Sequence, residues 1–253
     1  MPFFVKEHSI VRKIWSKSDT IIFIFAGSAA EFALNKAVDW LYYTGKLPAD
    51  PIGRLFSTVA YAREIVFAEN EAALKAIDRI TSIHKAVETS RQQQIPDWAY
   101  RDVLFMLIHY SIASYELLER KLSEAEKEEV FDVFNRVGLR MKLKGLPENF
   151  NEWKFMRREH MENNLQQGDF TIDLFKQYKK HLGSVRYNLL LQGQALIVPP
   201  TVSKLLKLGK FSWMRLIILP YKLSRILKMD TVIKSLILPK KYHAQIKDLD
   251  VVH

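Results

Sequence analysis

Apolar residues in this chain recur at the three- and four-residue spacing of one helical face, and the alternating, β-branched pattern of strands is nearly absent. That periodicity restricts the chain to an all-α fold. It predicts helices near residues 6–16, 19–43, 51–67, 70–90, 97–120, 123–141, 149–165 and 170–192, with further helices near 200–208, 211–228 and 230–237. The termini carry matching signals. Asp50 precedes Pro51, a side-chain cap followed by a residue whose fixed φ suits the first helical position. Ser123 and Glu126 have the spacing of a capping box. Asp97 opens a helix after Pro96, and "KGLPENF" at 144–150 reads as a loop. With 253 residues, 48% of them hydrophobic, the chain can bury a sizeable core. We read one helical domain over 1–199 and a helical extension over 200–253. "IVPP" at 197–200 is the seam between them.

Charge separates the same two parts. The net charge is +10, and residues 201–253 hold 11 Lys/Arg against 3 Asp/Glu, a balance of +8 that leaves +2 for the first 200 residues. Among those lysines stand Leu205, Leu206, Leu208, Phe211, Trp213, Met214, Leu216, Ile217, Ile218 and Leu219. Two readings of this pattern stay open: a basic amphipathic surface for a membrane, or a helix pair packed on the core with its lysines in water. Nucleic acid is not expected, because the aromatic residues lie inside apolar runs and offer no platform for base stacking. "MPFFVKEHSIVRKIW" is interrupted by charge too early for a secretory signal, and the apolar run from Thr20 to Ala30 is too short to span a bilayer. The chain has no cysteine, which removes disulfides, thiolate metal ligands and cysteine nucleophiles and fits a reducing compartment. The expectation is a cytoplasmic protein, with peripheral contact at the inner face of a membrane on the first of those two readings.

Familiar catalytic patterns are missing. There is no HExxH or Glu-x-x-His, no Walker A, no GxGxxG and no GxSxG. A haem iron held by histidine is still allowed. Of the seven histidines, only His84 and His109 sit in strongly apolar helical stretches. His84 continues the stripe Ile77, Ile80, His84, Val87, and His109 lies in "VLFMLIHYSIASY". Each is either a core histidine with one hydrogen bond or a ligand. Arg54 and Thr58 lie four residues apart on one helical face, beside Leu55, Val59 and Ala62. They are either a surface cation and a self-bonded hydroxyl, or an anion- or oxygen-binding pair beside a pocket. Glu31, in "AGSAAEFAL", is a lone carboxylate in an apolar helix: a buried acid of shifted pKa, or one turned outward.

Taken in order, Asp-Pro-x-x-Arg-x-x-x-Thr, "EIVFAENEAALKAIDRITSIHKAV", "LIHYSIASYELL", "KLSEAEKEEVFD" and "GLPENFNEW" resemble the MpaB-type oxygenase family, which includes the rubber oxygenase (latex-clearing) catalytic domain. The resemblance covers roughly residues 20–165. It implies an all-helical fold around haem b and oxidative cleavage of carbon–carbon double bonds in isoprenoid-like chains, with O2 as partner. It implies that His84 is the iron ligand, that Arg54 and Thr58 lie near the haem, that His109 supports the site, and that Glu31 handles protons on the distal side. The chain departs from the family pattern at "LNKAV" and "YTGKLPADP", where His-Pro and His-Ser pairs are usual, at Ala68 for a glycine, and at Glu88 for an arginine. The reading that these departures favour is a non-catalytic helical protein that binds a lipid or other ligand without haem.

Overall fold

A computed structural model describes residues 2–209 and 211–226. The helix expected at 230–237 lies outside the described residues. Twelve helices are present among them and no strand, only the isolated bridges Phe3–Glu69 and Asn35–Leu165. The all-α expectation is met.

The helices are α1 Ile10–Trp15, α2 Ser18–Phe32, α3 Asp39–Tyr43, α4 Lys46–Ala49, α5 Pro51–Phe67, α6 Asn70–Arg91, α7 Asp97–Leu118, α8 Glu124–Arg140, α9 Phe150–Asn163, α10 Asp169–Ile197, α11 Pro200–Leu205 and α12 Met214–Ile226. The sequence signals act where expected. Asp50 accepts a hydrogen bond from Gly53 N at 3.2 Å, with Pro51 starting α5. Ser123 and Glu126 close a reciprocal capping box on α8.

Helices α2 and α7 pair along their length at the centre of the molecule, and both are buried around most of their circumference. A helix apolar on every side belongs inside a bundle. Close approach is set at Gly27, where a Cβ would stand 2.2 Å from the ring of Tyr110. Around this pair lie α1 and α8 on one flank and α10 along α2, with α9 against α7 and α8. Helices α5 and α6 form an antiparallel pair that packs on α1, α2 and α8. Trp15, fully buried, donates from its indole nitrogen to Ser111 Oγ at 3.1 Å.

The single helix expected over 19–43 is broken after Phe32. Asn35 causes the break. Its Oδ1 accepts from Ala37 N at 2.8 Å, an alternative to the helical ladder. The turn is then fixed to the segment after α9 by Lys36 N to Asn164 O at 3.0 Å and Gln166 N to Leu34 O at 2.8 Å. Helix α10 runs five residues past the expected end and is kinked at Gly183, whose φ of 73° and ψ of 166° suit glycine. Beyond the "IVPP" seam the chain packs back on the core. Val202 is buried against Ala30, Leu34, Met161 and Leu165, and Tyr221 donates its hydroxyl to Asp19 Oδ2 at 3.0 Å.

Candidate functional site

The sequence-predicted residues separate into two groups. The first lies where α5, α6 and the start of α7 meet. Arg54 comes off the first turn of α5, which Pro51 and the Asp50 cap hold in place. Its guanidinium is half-buried. Nη1 donates to Ser57 Oγ at 3.0 Å, and among the described residues no carboxylate pairs with it. Thr58 Oγ1 donates to Arg54 O at 3.2 Å, so the hydroxyl bonds its own helix.

His84 stands on the α6 face that includes buried Ile77. Tyr100 of α7 meets its ring edge-on, with ring centroids 5.2 Å apart. His84 Nδ1 is buried and has no hydrogen-bond partner among the described residues. Burial lowers the pKa of His84 and the Arg54 charge lowers it further, with Glu88 opposing them. The ring is therefore neutral at neutral pH and has a free lone pair, as a metal-binding imidazole requires. Glu88 is fixed elsewhere: it accepts from Ile95 N at 2.9 Å and from Tyr100 Oη at 3.2 Å, closing the turn from α6 to α7.

The second group is a buried ionic cluster between α2, α7 and α9. Glu31 is fully buried. Arg157 of α9 clamps it with both Nη atoms, Nη2 reaching Oε2 at 2.5 Å. Tyr110 donates to the same Oε2 at 2.8 Å. His160 stands one turn along from Arg157, with Nε2 3.3 Å from Glu31 Oε1 and Nδ1 2.6 Å from Asp102 Oδ2. Its N–H groups do not line up with those oxygens, so the contacts are ionic rather than well-formed hydrogen bonds. Asn35 Nδ2 donates to Asp102 Oδ2 at 3.3 Å.

The electrostatics of this cluster follow from its composition. Burial alone would raise the pKa of Glu31, but the Arg157 charge, with the Arg157 and His160 contacts, holds it far below the usual carboxylate range. Burial would lower His160, yet Asp102 and Glu31 outweigh it and raise the pKa. His109, half-buried on α7, makes no hydrogen bond among the described residues; burial, with help from Arg157, pushes its pKa down to about 3.

The structure thus brings His84, Arg54 and Thr58 together and places Glu31 and His109 in the other group. No interaction links Glu31 to His84. The resemblance gave Glu31 a proton-handling role on the distal side; here both its oxygens are bonded and its pKa is held low. Sequence reasoning missed Arg157, His160, Asp102 and Tyr110. Asp102, a carboxylate leading into "VLFMLI", carried the same signal as Glu31. Arg157 and His160 sit in "FMRREHMEN", which reads as a solvated helix, and nothing there marks them as inward-facing.

Both groups of side chains stand in an all-helical bundle, with the neutral His84 ring close to the half-buried Arg54. The sequence matches the family described as ER-bound oxygenase mpaB/B'/rubber oxygenase, catalytic domain, over residues 15–223. The chain belongs to that family. The match crosses the "IVPP" seam and takes in α11 and most of α12. No curated protein and no solved structure matches the chain.

Proposed function

We propose that this chain is a haem b-dependent oxygenase that acts with O2 on an apolar, unsaturated substrate of isoprenoid-like character. Membership of the oxygenase family supports the reaction class. One observation supports the cofactor. His84 presents a neutral ring with a buried, unpartnered nitrogen, and Arg54 offers a half-buried cation without a carboxylate partner next to it. A haem would satisfy both: its iron takes an imidazole and its propionates take a guanidinium.

In this reading His84 would hold the iron, and Arg54 would bind and orient a propionate. Thr58, bonded to Arg54 O, would steady the turn from which the arginine projects. The bound haem would supply O2 activation and the redox chemistry. The apolar side chains around α5 and α6 would admit a hydrocarbon chain and keep water away from it. Tyr100, at the start of α7 and tied by its hydroxyl to Glu88 of α6, would hold the His84 ring in place. Glu31 and His109 would serve the frame rather than the proton path. A carboxylate locked ionised by a guanidinium is a poor base, and a histidine that protonates only near pH 3 is a poor acid at neutral pH.

The test is the visible absorption spectrum of protein purified from haem-supplemented cells, compared with His84→Ala. A Soret band in the wild type that is lost or strongly weakened in the variant is the expected result. Oxygen uptake with a polyisoprenoid then assays the reaction. A colourless wild type that does not take up added hemin would overturn the haem reading and leave a ligand-binding protein.

A further inference from the structure

Helix α12 is apolar on two opposite faces. Met214, Ile218 and Tyr221 pack on the core and seat the helix. Across the helix axis, at the same three- and four-residue spacing, Leu216, Leu219 and Leu223 point away from the core, exposed at 69%, 66% and 55%. Pro220 lies on that outer face too, and Trp213 and Ile217 flank it, both exposed. A helix that has already buried one face and offers a second apolar face to solvent is built to meet something else.

The surroundings are cationic to an unusual degree. Between Asp173 and Asp230 the sequence holds no carboxylate at all, against eight lysines and three arginines. Helix α12 starts beside a cleft of about 430 Å³ between α10 and residues 206–209 with Phe211. Phe175, Leu191 and Leu208 supply its apolar lining, and Lys176, Lys179 and Lys207 supply charge. Gln192 ties cleft and helix together. Its carbonyl accepts from Ser212 Oγ at 2.9 Å, and its Oε1 accepts from Trp213 N at 3.3 Å.

We propose that the outer face of α12 and this lysine-bearing cleft form one docking surface for the headgroup region of an anionic lipid bilayer. Leucines and a tryptophan suit the acyl boundary, and the cleft lysines, in a segment of chain without carboxylates, suit negative headgroups. No helix of the described residues is long and apolar enough to cross a membrane. A protein partner or a second copy would have to match a face whose own segment, residues 174–229, carries cations and no acid, a weaker complement than a negatively charged surface. The inference is independent of the cofactor and can be tested without it.

The experiment is vesicle co-sedimentation of the full chain, with phosphatidylcholine alone and with phosphatidylglycerol added. The wild type is expected to pellet with the anionic vesicles, and less so as salt is raised. Leu216→Glu/Leu219→Glu/Leu223→Glu, a change confined to exposed positions, is expected to weaken partitioning about tenfold or more, with an unchanged circular dichroism spectrum. Lys176→Gln/Lys179→Gln/Lys207→Gln is expected to weaken the preference for anionic vesicles while the apolar face stays intact. Failure of the wild type to bind anionic vesicles, or equal binding by the leucine variant, would overturn the proposal. A wild-type dimer that the leucine variant converts to monomer would assign the face to a second copy and overturn it as well.

Discussion

At the scale of single residues, the pairing of Glu31 with Arg157 has the largest consequence. Breaking a buried ion pair leaves one charge in a low-dielectric site with nothing to answer it. Glu31→Gln keeps the shape and removes the charge. It is expected to cost about 3–5 kcal/mol in chemical denaturation. Replacing both Glu31 and Arg157 by leucine is expected to cost less than the two single losses added together, because no charge is stranded. A cost for Glu31→Gln within about 0.5 kcal/mol, the range of ordinary surface changes, would show that the pair is not holding α9 to α2. Half of this pair was legible. A carboxylate in an apolar helix stands out, so Glu31 reads as either a buried acid in need of a partner or one turned outward. Arg157 did not, because α9 has a polar sequence and one inward arginine among outward ones leaves no periodic trace.

At the scale of elements, helix existence was readable and helix interruption was not. Caps and turn residues act within a few positions, and so the starts at Pro51, Asn70, Asp97 and Glu124 fall at or beside the predicted ones. The turn at Asn35 is local, but what fixes it there is residues 163–166, far along the chain, and an asparagine alone does not announce that a helix stops. Gly183 is different. It interrupts α10 in a conformation that side chains rarely adopt, yet a Cβ there would meet no atom within 4 Å. Any cost of Gly183→Ala is therefore backbone strain alone. The expected loss is about 1–3 kcal/mol, read as a lower denaturation midpoint with an unchanged slope. A neutral or stabilising substitution would mean that α10 straightens freely and that the kink is not required by the packing around it.

At the scale of the whole molecule, the buried cluster sets how stability depends on pH. Glu31 has a folded pKa below its unfolded value of 4.5, so its contribution is complete above 4.5 and is lost as pH falls toward the lowered value. His109 has a folded value of about 3 against 6.5 unfolded. Between those two values the unfolded chain binds the extra proton, and so stability again falls with pH. His160 acts in the opposite sense: its folded pKa is raised, so its contribution is present below 6.5 and is lost as pH rises through the folded value. The expected profile of melting temperature has its maximum near pH 6.5, a steep acid side and a shallower alkaline side. His109→Phe is expected to flatten the stretch between pH 6.5 and 3 relative to the rest of the acid limb. An acid limb unchanged in that variant would remove His109 from the account. The overall architecture, a central α2–α7 pair wrapped by other helices, was foreseeable only as a class. Periodicity says which faces are apolar but not which helices they meet.

The clamp between Glu31 and Arg157 joins positions 126 residues apart in the chain. Each side chain is expected to be costly to lose alone, and the two together to be exchangeable for an apolar pair. Across related chains these two positions are therefore expected to change jointly or not at all, with Asp102 and His160 following them. An alignment deep enough to measure covariation would show the group as a single inherited unit, spread over three helices with no adjacent members.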